Sequence, residues 1–228
     1  MAFRPLDGPR LPPARGPATS LVVLVHGYGA DGNDLISLAQ HWREMLPGTA
    51  FVSPHAPERV PGAPSGFQWF GLTRRDAQEW SQGVKTAGPG LQEFVALEAG
   101  RLGLGPERVA LVGFSQGTML SLEVGLNHHV AAIVGFSGLL AAPPPQDFAA
   151  PPILLAHGSA DPVIPATAML AAASLLGAAG ARVQWHLAEG VGHGIDPAGL
   201  EMAGQFLALA FAGRLDAPGP ACCPLPQG

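Results

Sequence analysis

Val109-Ala110-Leu111-Val112-Gly113-Phe114-Ser115-Gln116-Gly117 is an apolar run that ends on a serine held between two glycines. The chain continues as Thr118–Val124, a stretch with helical character. A strand that turns directly into a helix leaves little room around the turn, so the flanking positions favour residues without side chains. Gly113 and Gly117 meet that need. The turn would raise the Ser115 hydroxyl to the carboxyl end of a sheet. A helix beginning at Gln116 would aim its free N–H groups at any anion formed there. A tight structural turn with an ordinary serine could read the same way, so the surroundings of the pentapeptide have to separate the two.

Outward from this point, short apolar runs alternate with helical stretches. Leu21–Val25, Ala50–Ser53, Arg108–Gly113, Ala131–Phe136, Ile153–Ala156 and Arg182–His186 read as strands bounded by Gly, Pro and Ser. Several are apolar almost throughout, as parallel strands buried on both faces are. Between them, Leu35–Leu46 reads as a helix capped by Asn33 or Asp34. Residues 84–102 read as a helix with a break at Gly88-Pro89-Gly90. Gln116–His128, Ala166–Leu176 after Pro165, and Pro197–Ala212 after the cap Asp196 complete the set. Alternation at this spacing indicates an α/β domain with a mostly parallel sheet and right-handed crossovers. Residues 1–19 read as an irregular arm with at most one short edge strand, 20–212 as a single domain, and 213–228 as a flexible tail.

Composition sets the outer bounds. The 228 residues are 47% hydrophobic and 13% charged, the opposite of a disordered chain. Gly 31 and Pro 24 are high counts, but they show no triplet period, so a collagen-like chain is excluded. A net charge of -5 gives no general attraction for nucleic acid or anionic membrane. Leu21–Val25 is too short for a membrane span or a signal-peptide core, which makes the cytoplasm the expected compartment. Cys222 and Cys223 are adjacent in the tail, where they cannot staple separate elements or supply a zinc site. No metal or other cofactor is expected.

A serine hydroxyl is a weak nucleophile until a base takes its proton and a third group fixes that base's tautomer. His193 lies in Gly190-Val191-Gly192-His193-Gly194, a glycine-flanked loop after the last strand. Asp161 lies in His157-Gly158-Ser159-Ala160-Asp161-Pro162-Val163, just past the strand Ile153–Ala156, where a carboxylate would emerge on the active face. Each alone could be a surface histidine or a turn aspartate. Together, the order Ser115, Asp161, His193 is that of the α/β-hydrolase triad and not of the other serine hydrolase scaffolds. Asp196 is better placed as a helix cap, and His128 and His129 suit a helix C-terminus. His55 lies in a loop with nothing in the sequence to orient it.

The first strand runs into His26-Gly27-Tyr28-Gly29-Ala30-Asp31-Gly32-Asn33-Asp34. These glycines could suggest a phosphate loop, but neither the Lys-Ser/Thr of a P-loop nor a G-x-G-x-x-G pattern is present. In a hydrolase, the backbone N–H groups of Tyr28 and Gln116 can point together at a developing oxyanion. The Tyr28 ring would then serve as a pocket wall.

These segments, with Phe67-Gln68-Trp69-Phe70 and Asp161-Pro162-Val163-Ile164-Pro165, resemble the phospholipase/carboxylesterase family of α/β-hydrolases, over roughly residues 20–212. The resemblance implies an α/β-hydrolase fold with a mostly parallel central sheet flanked by helices and no separate lid domain. It implies Ser115 as nucleophile, Asp161 and His193 as its partners, and the amides of residues 28 and 116 as the oxyanion hole. Family members hydrolyse carboxylic esters, lysophospholipids or protein thioesters. They need no metal and often dimerise, so a homodimer is one expected assembly. The family also implies that Phe67, Trp69 and Phe70, in the Gly/Pro-rich segment Pro57–Leu72, contribute to the acyl pocket; the plainer reading is that they pack a loop onto the body. Leu35, Val163 and Ile164 are further candidate walls. One departure is visible: Thr118 stands where the family usually has a second glycine, which predicts repacking behind the nucleophile.

The expected activity is hydrolysis of short- to medium-chain carboxylic esters, with lysophospholipids as a further substrate class. An acyl-protein thioesterase is the enzymatic alternative. A dienelactone-hydrolase-like enzyme would typically carry cysteine at position 115. A non-catalytic binding protein of the same fold would usually lack one of the three residues, and all three are present here.

Overall fold

A computed structural model describes residues 5–148 and 150–215, so Cys222, Cys223 and most of the expected tail lie outside the described residues. Seven strands form the main sheet: β1 (Arg10–Leu11), β2 (Ser20–Val25), β3 (Thr49–Val52), β6 (Val109–Phe114), β7 (Ala132–Phe136), β8 (Ile153–Gly158) and β9 (Val183–Ala188). A small antiparallel hairpin, β4 (Glu58–Arg59) and β5 (Phe67–Gln68), stands apart within the Gly/Pro-rich segment. The spatial order is β1-β3-β2-β6-β7-β8-β9. All neighbours are parallel except β1, which runs antiparallel along β3. This is an α/β-hydrolase fold, and the described residues include no separate lid domain.

The strands β2, β3, β7 and β8 are buried along their whole length, and β6 up to its last residue, Phe114, because helices cover both faces. Leu21, Val23 and Val25 face one apolar layer with α3 (Ala77–Leu102), α4 (Gln116–Asn127) and α5 (Ala166–Ala178). Val22 and Leu24 face the other, with α1 (Gly32–Ile36), α2 (Leu38–Trp42) and α6 (Pro197–Phe211). The two-residue period of a strand alone produces this division.

Two expected helices differ in outline. The stretch expected as one helix over Leu35–Leu46 is two short helices, and its cap is Asp31, not Asn33 or Asp34. The Asp31 carboxylate accepts from the Asn33 amide, and the Asp34 side chain reciprocates to the Asp31 amide in a capping box. The expected break at Gly88-Pro89-Gly90 does not occur. Helix α3 runs unbroken through Pro89, although proline forfeits a backbone hydrogen bond. Val84 before it and Leu91 and Phe94 after it are all buried in the same layer, and that packing holds the two halves in line.

The topology also positions the site. From β2 the chain moves outward to β3, then crosses back through α3 to β6 on the other side of β2. The crevice at the carboxyl ends of β2 and β6 is therefore a topological switch point, where open α/β sheets bind ligands. In register, Val25 sits beside Gly113, so the segments beginning at His26 and Ser115 leave the sheet side by side.

Candidate active site

Ser115 lies between the end of β6 and the start of α4, with φ 53 and ψ -114. A non-glycine residue at positive φ is strained, and the close fit of the flanking glycines holds it there. A Cβ on Gly117 would fall 1.8 Å from the Val25 carbonyl oxygen, and one on Gly113 would fall 2.4 Å from the Gly117 carbonyl oxygen. The Ser115 amide donates to the Phe136 carbonyl (2.9 Å), which fixes the turn to the end of β7.

The structure brings Ser115, Asp161 and His193 together from three separate loops. His193 Nε2 lies 3.0 Å from Ser115 Oγ, and His193 Nδ1 lies 2.7 Å from Asp161 Oδ2. The carboxylate can only accept, so Nδ1 carries the proton and Nε2 is free to accept from the serine hydroxyl. Asp161 Oδ1 accepts from the amides of Val163 (2.8 Å) and Ile164 (3.0 Å). Burial acts to raise the Asp161 pKa, but the hydrogen bonds from His193, Ile164 and Val163 outweigh it and hold the carboxyl below its ordinary value. The Phe114 ring backs the imidazole at 5.0 Å between centroids. Ser137, itself at φ 46, donates its hydroxyl to the Gly194 carbonyl (2.8 Å) and so fastens the histidine loop to β7.

The segment after β2 forms the opposite wall. A Cβ on Gly27 would lie 3.3 Å from Ser115 Cβ, so the backbone at Gly27 passes close to the serine. Gly29 donates to the Phe67 carbonyl and Phe67 to the Ala30 carbonyl, both at 2.9 Å, which ties this segment to β5. Among the described residues, no backbone hydrogen bond outside the helices and strands uses the amide of Tyr28 or Gln116. His26 is fully buried. Its Nε2 accepts from the Ala56 amide (3.0 Å), so Nδ1 carries the proton and donates to the Gly27 carbonyl (2.8 Å). Desolvation lowers its pKa, in keeping with a neutral ring.

The candidate pocket residues divide into different environments. Trp69 and Phe70 are buried. The Trp69 indole N–H donates to the His26 carbonyl (2.9 Å). The Gln116 side chain accepts from the Trp69 amide (3.0 Å) and donates to the Phe70 carbonyl (2.8 Å). Phe67 is half-buried between the His55 ring and the Arg59 guanidinium. Leu35 is buried in the apolar layer with Trp42 and Phe51, and Ile164 in the opposite layer. Val163 is 56% exposed beside Asp161. Thr118 is buried, donates its hydroxyl to the Phe136 carbonyl (2.8 Å), and fills the space above two glycines, Gly135 and Gly138.

Several of these roles escape the sequence. His26 stands in a motif segment, but nothing in a linear pattern says what a buried ring will touch. Ser137 carries no sequence signal at all.

The phospholipase/carboxylesterase family model matches residues 7–211. The chain belongs to this family. It is 30% identical over 223 residues to acyl-protein thioesterase 1 of Gibberella zeae, covering 86% of this chain and 92% of that one. It is 31% identical over 189 residues to esterase YpfH of Escherichia coli, covering 82% and 81%. Among solved structures, esterase PE8 superposes with a TM-score of 0.85 at 44% identity, covering 89% of this chain and 97% of that one. Family and fold together set the protein in the esterase/acyl-protein thioesterase branch of the α/β-hydrolases, with a hydrolase activity of esterase type. Among the described residues, no helix is long and apolar enough to cross a membrane.

Proposed function

We propose that the protein is a serine carboxylesterase that hydrolyses short- to medium-chain carboxylic esters through an acyl-enzyme. The observation that carries this reading is the continuous relay from the buried Asp161 carboxylate through His193 to Ser115 Oγ, at 2.7 and 3.0 Å. His193 takes the serine proton as Oγ attacks the ester carbonyl, and the amides of Tyr28 and Gln116 receive the oxyanion. The imidazolium then protonates the leaving alcohol. Water, activated by the same histidine, releases the acid. Asp161 stays ionised throughout and holds the tautomer.

The substrate class rests on access. Without a lid domain the serine lies close to the surface, and the His193 side chain is 19% exposed. The exposed Val163, two residues from Asp161, and the half-buried Tyr28, next to Gly27, offer modest apolar surface. A shallow site of this kind favours small acyl groups.

Labelling with a fluorophosphonate probe and turnover of p-nitrophenyl esters test the reading. Ser115→Ala is expected to abolish labelling and lower kcat by at least ~10⁴-fold; wild-type turnover in this variant would overturn the assignment. A chain-length panel of esters and thioesters, with lysophosphatidylcholine, tests the substrate class. A maximum at short acyl esters supports it. Preference for long acyl thioesters would make the protein a thioesterase, as the Gibberella zeae relative is named.

A further inference from the structure

Asp161 faces two histidines. The second, His157, is the penultimate residue of β8, and its side chain is completely buried, as is that of Asp161. Its Nε2 lies 2.9 Å from the Ile164 carbonyl oxygen and 3.2 Å from Asp161 Oδ2, the same oxygen that serves His193. Both neighbours can only accept, so Nε2 carries the proton. The other nitrogen, Nδ1, has no hydrogen-bond partner among the described residues. The ring's one N–H is hydrogen-bonded to the Ile164 carbonyl, and the same nitrogen stands 3.2 Å from Asp161 Oδ2, so the positive end of that dipole lies beside the carboxylate.

We propose that His157 is a positioning residue that sets the strength of the Asp161–His193 pair; this rests on the serine hydrolase reading above. Asp161 Oδ1 is held by the amides of Val163 and Ile164, so Oδ2 alone remains for the histidines. The partial positive charge of the His157 N–H, 3.2 Å from Oδ2, draws on the charge that would otherwise stabilise the imidazolium of His193. The bond to Ile164 holds the 161–164 turn closed around the carboxylate. Other groups near the relay are already engaged. From β9 and the histidine loop, His186 and Asp196 pair at 3.1 Å, and Asp196 also caps α6. From β6, Phe114 offers only its ring, and from α4 the contact is Ser115 itself.

His157→Leu removes the N–H dipole beside Oδ2 and leaves the His193 hydrogen bond as the polar contact of that oxygen. The acid limb of the kcat/KM profile should then move to higher pH by roughly half a unit. His157→Gln, whose amide can reach the place of Nε2, should return the limb to its wild-type position. His157→Asn is too short to reach it and should behave like leucine, which keeps the question open to experiment if the leucine variant does not fold. An unmoved acid limb in the leucine or asparagine variant, whatever the loss of kcat, overturns the proposal, because a purely structural role would lower activity without shifting the profile. Absence of fluorophosphonate labelling in the wild-type protein would remove the triad reading and this inference with it. Normal wild-type labelling with an unmoved limb removes this inference alone.

Discussion

Gln116 shows how one side chain can serve a site without taking part in its chemistry. Its amide N–H belongs to the backbone and is available to an oxyanion, while its buried carboxamide clamps Trp69 and Phe70. Trp69 in turn holds the His26 carbonyl, so the two segments that carry the proposed oxyanion donors are joined through one residue. Gln116→Ala keeps the first role and loses the second. It leaves the Trp69 N–H and the Phe70 carbonyl without their partner, at about 1–3 kcal/mol for each buried group. Urea unfolding should show a loss of that order, with a fall in kcat well short of that caused by Ser115→Ala. Unchanged stability would exclude the clamp. Ser115, Asp161 and His193 are legible in the sequence because each follows a recognisable strand and carries its own turn residues. The clamp is not, because Gln116 and Trp69 are 47 residues apart and the pairing exists only once β5 packs against α4.

Thr118, next after the second glycine of the nucleophile turn, is accommodated by neighbouring elements. Its Cγ2 occupies the space over β7, where a Cβ on Gly135 would come within 2.5 Å of it. Its hydroxyl and the Ser115 amide share the Phe136 carbonyl, so α4, the nucleophile turn and β7 meet at one acceptor. The missing side chain at Gly135 and the extra one at Thr118 are therefore complementary. Gly135→Ala alone should cost about 1–3 kcal/mol by overpacking. Thr118→Ser removes the clashing methyl and keeps the hydrogen bond to Phe136, so the double variant should recover much of that loss. A double-mutant cycle measured by denaturant unfolding should give a coupling of roughly 1–2 kcal/mol; simple additivity would refute the complementarity. The same interplay explains why α3 outran its sequence signal. Proline is a local rule, and the apolar face that Val84, Leu91 and Phe94 bury is a tertiary one.

At the scale of the whole molecule, the N-terminal arm is fastened by a contact no linear reading could anticipate. Arg10, on the edge strand β1, grips Glu98 of α3 with Nε on Oε2 (2.9 Å) and Nη2 on Oε1 (2.8 Å), across 88 residues of sequence. Arg101 joins from the next turn of the helix, and Asp7 closes on Arg10 from the arm. The Glu98 side chain is only 7% exposed, so it leaves water on folding and depends on its partners for compensation. The hydrogen bond from Arg10 holds its pKa below the ordinary 4.5, against the opposing effect of burial. A carboxyl with a depressed folded-state pKa adds stability that is fully present above its unfolded value and fades as pH falls through the folded one. The contribution of Glu98 is therefore complete at neutral pH, begins to fade as pH falls below the ordinary 4.5, and is lost once pH passes the lower folded-state value. Glu98→Gln should lower stability at pH 7 by about 1–2 kcal/mol, a modest figure because Arg10 is partly solvated. The deficit should shrink as the pH is lowered, because the wild-type protein then loses the same charge. Thermal unfolding of both proteins between pH 7 and pH 3 measures this directly. A deficit independent of pH would mean that Glu98 acts through packing and hydrogen-bond shape, and that its charge does not tie the arm to the domain.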